Sequence, residues 1–93
     1  MTIGLLELDF LIPGAMSLKD KRRVLKSLKT RLRNRFNCSV AETEHQDLHR
    51  RARLAVCVVS ESSRHANEQL NEIARYAGND PDAAMTDYRI EML

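Results

Sequence analysis

The chain has no tryptophan, two phenylalanines and two tyrosines. So few rings leave little on which successive bases can stack, which counts against binding of single strands through aromatic platforms. Cysteine is equally sparse: Cys38 and Cys57 stand singly in apolar or strand-like stretches, with no C-x-x-C spacing and no zinc-ligand pattern nearby. Two buried, reduced thiols are expected, rather than a disulfide framework or a metal site. No apolar run approaches the roughly 20 residues of a membrane span. The opening MTIGLLELDF carries acids where a secretory signal would carry basic residues. A cytoplasmic location with no membrane partner is the expectation. A Gly-rich phosphate loop and a nucleophile motif are missing too, so no cofactor, no small-molecule substrate and no enzymatic activity are indicated.

What is present is an ordinary globular composition. Ninety-three residues, 43% hydrophobic and 30% charged, make one domain over residues 1–93 that can bury a modest core without disulfides. Residues 3–12 alternate, with Leu6, Leu8, Phe10 and Ile12 on one side and Glu7 and Asp9 on the other; this is a half-buried strand. Pro13-Gly14 ends it. Ser17 is a good N-cap and Asp20 stands at the capping-box position, so a helix begins at Leu18. Its apolar stripe is Leu18, Leu25, Leu28, Leu32 and Phe36, with Val24 at the margin.

Residues 38–45, CSVAETEH, form a more polar strand suited to a sheet edge, and QDLHRR is a loop. ARLAVCVVS, 52–60, is apolar on both faces, as a central strand is. Ser60, Ser62 and Ser63 offer caps for a second helix. Its stripe Ala66, Leu70, Ile73, Ala74 and Ala77 ends at Gly78, a C′ residue in this reading. After the turn Asn79-Asp80-Pro81-Asp82, Thr86, Tyr88, Ile90 and Met92 alternate with Asp87, Arg89 and Glu91 as a last strand. The order βαββαβ predicts a ferredoxin-like sandwich, an α+β fold with two helices on one face of a four-stranded antiparallel sheet. Right-handed crossovers place the first and third strands in its centre. The other face would then show Glu7, Asp9, Ala55, Cys57, Val59, Asp87, Arg89 and Glu91, either plain surface or the interface of a homodimer.

The charge is unevenly distributed. SLKDKRRVLKSLKTRLRNRF, residues 17–36, holds nine of the fifteen Lys and Arg and a single acid, Asp20. That segment is +8 in a chain of net charge +2, so the other 73 residues sum to −6. At 100° per residue, Lys19, Arg22, Arg23, Lys26, Lys29 and Arg33 fall within an arc of roughly 120° beside the apolar stripe. Arg31 and Arg35 lie on the stripe's far side, and Lys21 falls on the stripe itself, its stem along the core edge.

A face built only for solubility mixes signs and gains i,i+4 pairs. Here Lys19 with Arg23, Arg22 with Lys26, and Lys29 with Arg33 are like-charged i,i+4 pairs, and cations crowd the N-terminal turns against the helix dipole. The penalty, on the order of a few kcal/mol, calls for relief either by a polyanion or by acids elsewhere in the fold, Glu68 and Glu72 among them. The six cations of the arc match the reach of several backbone phosphates, and Arg50 and Arg51 extend the patch if their loop lies alongside. Such binding reads backbone and shape rather than base edges. The runner-up is a protein-interaction module that docks through the uncovered sheet face, with the helix against an acidic protein surface.

The loop AETEHQDLHRR, residues 41–51, also gathers chemistry. His45, Asp47 and His49 stand at H-x-D-x-H spacing, a weak metal or acid–base pattern with no third partner. A structural or contact role is the expectation, with Asp47 bonding amides of the turn.

IPGAMSLKDKRRVLKSLKTRLRNRFNCSVAETEHQDL, residues 12–48, together with AVCVVS, residues 55–60, resembles the YlxP-like family, small bacterial proteins of a domain-of-unknown-function class, almost end to end. Ser17, Lys19, Asp20, Lys21, Arg22 and Arg23 match in the helix and His45, Gln46, Asp47 and Leu48 in the loop. The chain departs at His49, where the family often has an aromatic. The resemblance implies the ferredoxin-like fold and carries over no catalytic residue. Family members are often encoded near translation-initiation and ribosome-maturation factors, which implies ribosomal RNA or a ribosomal subunit as partner.

Overall fold

A computed structural model describes all residues, 1–93. The elements are β1 (Thr2–Leu11), α1 (Leu18–Arg35), β2 (Ser39–Glu44), β3 (Arg51–Ser60), α2 (Ser63–Ala77) and β4 (Ala84–Met92), with the sheet ordered β2-β3-β1-β4 and every neighbouring pair antiparallel. This is the expected ferredoxin-like arrangement. The even residues of β1 from Gly4 on, and those of β3, are buried under the helices. They form the floor of one core of 19 residues whose roof is Leu25, Leu28 and Leu32 of α1 and Ala66, Leu70, Ile73, Ala74 and Ala77 of α2.

Local chemistry sets the helix limits. Ser17 is extended and its Oγ accepts from Asp20 N at 3.1 Å, while Asp20 Oδ2 accepts from Met16 N at 2.9 Å. The first bond satisfies a donor that the helix leaves open, and the second ties the Asp20 carboxylate to the residue before the cap, one position earlier than in a capping box. Ser62 caps α2 in the same way, accepting from His65 N at 3.1 Å. Gly78 is the C-cap of α2, one position earlier than the C′ place expected of it, and its φ is an ordinary −68°. Its lack of a side chain serves space instead, since a Cβ there would lie 3.0 Å from Met85 Cε and 3.2 Å from Ala74 O. Gly4 of β1 serves the same need, because a methyl would stand 2.8 Å from Leu70 Cδ1.

Two further expectations change. The cysteines are free but only half-buried: Cys38 Sγ faces Leu32 O at 3.8 Å, and Cys57 lies on the sheet's open side. On β4 the expected alternation holds from Tyr88 to Met92 but breaks at Thr86, where a register shift leaves Thr86 exposed and pairs Met85 with the buried Phe10; Tyr88 itself is 45% exposed, because this strand is the sheet's edge and α2 lies mainly over β1. No helix is long and apolar enough to cross a membrane.

Candidate nucleic-acid interface

α1 is 18 residues long, about 27 Å at the ordinary helical rise. One side packs on the sheet, and the other carries the cations. Lys19, Arg22, Arg23 and Lys26 are exposed and Lys29 is half-buried. The alternative that acids elsewhere relieve their repulsion fails for most of them. Neither Lys19, Arg22, Lys26, Lys29 nor Arg33 has a carboxylate within 4.0 Å, and Arg23 has only Asp20 at 3.5 Å across exposed surface. Glu68, one of the expected relieving acids, pairs with Arg64 of its own helix at 3.3 Å.

The other cations of this segment are committed to the fold. Arg31 bonds Asp80, whose side chain is 2% exposed and also accepts from Asp82 N at 2.8 Å and Ala83 N at 3.1 Å. The Asp80 hydrogen bond raises the Arg31 guanidinium above its ordinary value. Arg35 lies 4.9 Å from the Tyr76 ring centroid and 5.9 Å from that of Phe36, a cation–π contact joining the C-terminal ends of the two helices. Arg33 is divided. It is exposed, but its Nη2 donates to Val40 O at 2.7 Å. Gln46 Nε2 donates to Glu42 O at 3.4 Å, so two carbonyls of the edge strand β2 are already engaged by side chains, one device by which sheet edges discourage further pairing.

Lys21 is the residue that sequence reasoning placed least well. It is 1% exposed, and its ammonium, not only its stem, is inside. Nζ donates to the carbonyls of His45 at 2.6 Å, Leu48 at 2.6 Å and Arg51 at 2.9 Å. Those take its three protons. Glu42 Oε2, at 2.7 Å and without a hydrogen-bond donor of its own, meets it as a counter-charge. The loop between β2 and β3 is therefore wrapped around a lysine, with His45 held in the left-handed region at φ 64° and Leu48 N donating to His45 O at 3.0 Å. Asp47, expected to organise the turn, is exposed. A lysine on an otherwise apolar stripe was the available signal. A core position filled by a cation needs buried acceptors, and a loop's inward carbonyls supply them.

This wrapping decides what the loop adds to the interface. Arg50 is exposed and lies at the start of α1, with Nε 3.3 Å from Ala15 O and Nη2 3.6 Å from Met16 Sδ, so it extends the cationic surface. Arg51 does not. It opens β3 opposite Leu11, two residues before Arg53, and strand alternation puts it on the sheet's open face. His45, Asp47 and His49 form no metal-holding group, and no three His, Cys, Asp or Glu side chains in the chain do. An open groove of about 610 Å³ flanks α1 at the Arg23 edge of the arc, where Asp20, Asp80 and Asp82 line it together with Arg23 and Arg31.

The open sheet face is ionic at one end. Arg89 Nη2 bonds Glu7 Oε1 at 2.8 Å, and Arg53 stands 3.9 Å from Glu7 Oε2 while donating through Nε to Asp9 Oδ1 at 2.7 Å and through Nη2 to Oδ2 at 3.3 Å. The Arg53 hydrogen bonds hold the Asp9 carboxyl below its usual value against a smaller opposing effect of burial. Because the folded value lies below the unfolded one, about 3.9, the pair's contribution is complete above that pH and is lost as pH falls through the folded value. Arg53→Met is thus expected to lower the urea midpoint at neutral pH, with the gap to wild type closing below about pH 4. A gap that persists at pH 2 would assign the effect to packing of the arginine stem.

A family model described as "Protein of unknown function (DUF503)" matches residues 3–90. The chain is 35% identical over 89 residues to a Bacillus subtilis protein described as "Uncharacterized protein YlxP", covering 96% of this chain and 97% of that one. Among solved structures, the de novo designed protein Ferredog-Diesel is similar with a TM-score of 0.50 at 19% identity, over 98% of this chain and 84% of the design. That likeness bears on the fold alone.

Proposed function

The chain belongs to the DUF503 family, and from that premise we propose that it is a non-enzymatic, cytoplasmic protein that binds structured RNA, ribosomal RNA above all, through α1, in translation or ribosome maturation. One observation carries the reading: a row of exposed cations along a rigid helix, unanswered by any acid of the same molecule except Asp20. Holding like charges at i,i+4 costs free energy in the isolated protein, and a line of phosphates converts that cost into binding. Lys19, Arg22, Arg23, Lys26 and Lys29 make the phosphate contacts, Arg50 adds one at the helix start, and Arg33 joins with the donors that Val40 leaves free. The four aromatic residues leave little for stacking with unpaired bases, which favours a folded RNA read through its backbone. RNA rather than DNA rests on the family resemblance.

Titration of ribosomal subunits and of a structured RNA across salt tests this. The expected log–log plot of affinity against salt is linear, with a slope implying about four or more phosphate contacts. Absence of binding even at low salt would end the RNA reading.

A further inference from the structure

Along the outward crest of α1 the chemistry changes partway. Opposite the buried Leu25, Leu28 and Leu32, the first turns present Lys19, Arg23 and Lys26, and the later turns present Thr30 and Asn34, both exposed. Thr30 and Asn34 stand at i,i+4, one above the other. Lys29 and Arg33 flank them on one side. On the other, Arg31 and Arg35 are held by Asp80 and the Tyr76 ring. The side-chain hydrogen bonds of α1 belong to Asp20, Lys21, Arg23, Arg31 and Arg33, so the Thr30 hydroxyl and the Asn34 carboxamide keep their donors and acceptors free. α2 shows the contrast: Asn71 Nδ2 gives a donor to Asn67 O of its own helix at 2.9 Å. Thr and Asn are weaker helix formers than Ala, Lys or Arg, so helix stability does not account for them on an exposed crest.

We infer that Thr30 and Asn34 let α1 distinguish RNA from DNA, bonding 2′-hydroxyls in the minor groove of an A-form duplex while the cations beside them hold its phosphates. The inference deepens the RNA-binding reading and rests on it. Reach favours this partner. Thr and Asn are short and the neighbouring Lys and Arg are long, so a surface that meets the short pair must approach the helix closely and carry its charges to the side. A wide, shallow minor groove rimmed by phosphates has that shape, whereas the major groove of such a duplex is too deep and narrow for side chains to read. Hydrogen-bonding chemistry agrees. The 2′-hydroxyl both donates and accepts, as the Thr hydroxyl and the Asn carboxamide do, while a lysine or arginine in their place could only donate. Every ribonucleotide carries that hydroxyl, so the pair reads the form of the duplex and not its base sequence.

Three duplexes of one sequence test this: RNA, the same RNA 2′-O-methylated so that the hydroxyl donor is gone, and DNA. Fluorescence anisotropy across salt gives the affinity and slope of each for wild type, Thr30→Ala/Asn34→Ala and Lys26→Ala. Alanine favours helix, so the double variant should keep its fold, which its thermal midpoint checks. Wild type should prefer RNA to the other two duplexes by roughly tenfold, the effect of one or two hydrogen bonds. The double variant should bind all three alike, with the salt slope of wild type. Lys26→Ala should lose about one phosphate contact from the slope on every duplex and keep the preference. Equal wild-type affinity for RNA and DNA, with a slope of several contacts, overturns the inference and leaves phosphate binding by α1 standing. A preference that survives Thr30→Ala/Asn34→Ala does the same. No binding to any duplex at low salt overturns the inference together with the RNA reading beneath it.

Discussion

Lys21→Met is expected to destabilise the fold by about 3–5 kcal/mol, the loss that follows when one partner of a buried ion pair is removed. The methionine keeps most of the volume, so packing is not the main term. What is lost is the donor to three inward carbonyls, those of His45, Leu48 and Arg51, and the counter-charge of Glu42. Each carbonyl left dry costs roughly 1–3 kcal/mol unless water enters or the loop opens, and opening is the cheaper course. At about 4–8 °C per kcal/mol for a domain of this size, the thermal midpoint should fall by at least about 12 °C. Glu42→Gln should cost less, because Nζ keeps its three carbonyls. Urea melts of the two variants decide the matter. A loss under about 1 kcal/mol for Lys21→Met would show that the loop stands without the lysine.

The second large effect concerns binding. Reversing Arg23 and Lys26 to Glu should weaken RNA binding by about a hundredfold or more, since each reversal exchanges an attraction on the order of 1 kcal/mol for a repulsion of the same size. The thermal midpoint should stay where it is or rise. Arg23 gives up only a 3.5 Å contact to Asp20, and Lys26 gives up no ion pair. Both like-charge spacings on that face, with Lys19 and Arg22, become opposite-charge ones. Filter binding and calorimetry on the same preparation read both quantities. Binding lost together with the fold would mean that these cations serve internal pairing.

Lys21 and Arg51 show where sequence reasoning ends. The heptad-like stripe of α1 put Lys21 on the core side, which was right, and drew its ammonium outward, which was wrong. Snorkelling is the usual solution for a lysine at a core margin, and only the return of the chain at 45–51 supplied acceptors good enough to overrule it. Arg51 looked continuous with Arg50 because neighbours in sequence are close in space. Strand alternation, however, turns adjacent side chains to opposite faces, and the strand begins one residue earlier than its composition suggested, at Arg51 rather than Ala52. Likewise Glu7 and Asp9 were legible as outward acids, but not their partners. Arg53 lies 44 positions from Asp9 and Arg89 lies 82 from Glu7.

The chain's own pattern determined the order of elements, the buried stripes of both helices, the N-cap at Ser17 and the cationic arc of α1, and it narrowed the cap of α2 to three serines, of which Ser62 serves. Each depends on interactions within a turn or two of helix, or on the two-residue period of a strand. The tertiary structure alone decided which cations remain free. Asp80 takes Arg31, the Tyr76 ring takes Arg35, three loop carbonyls and Glu42 take Lys21, and Val40 takes part of Arg33. Whether a charge is spent inside the molecule or left for a partner depends on groups brought beside it from distant parts of the chain, and periodicity carries no record of those.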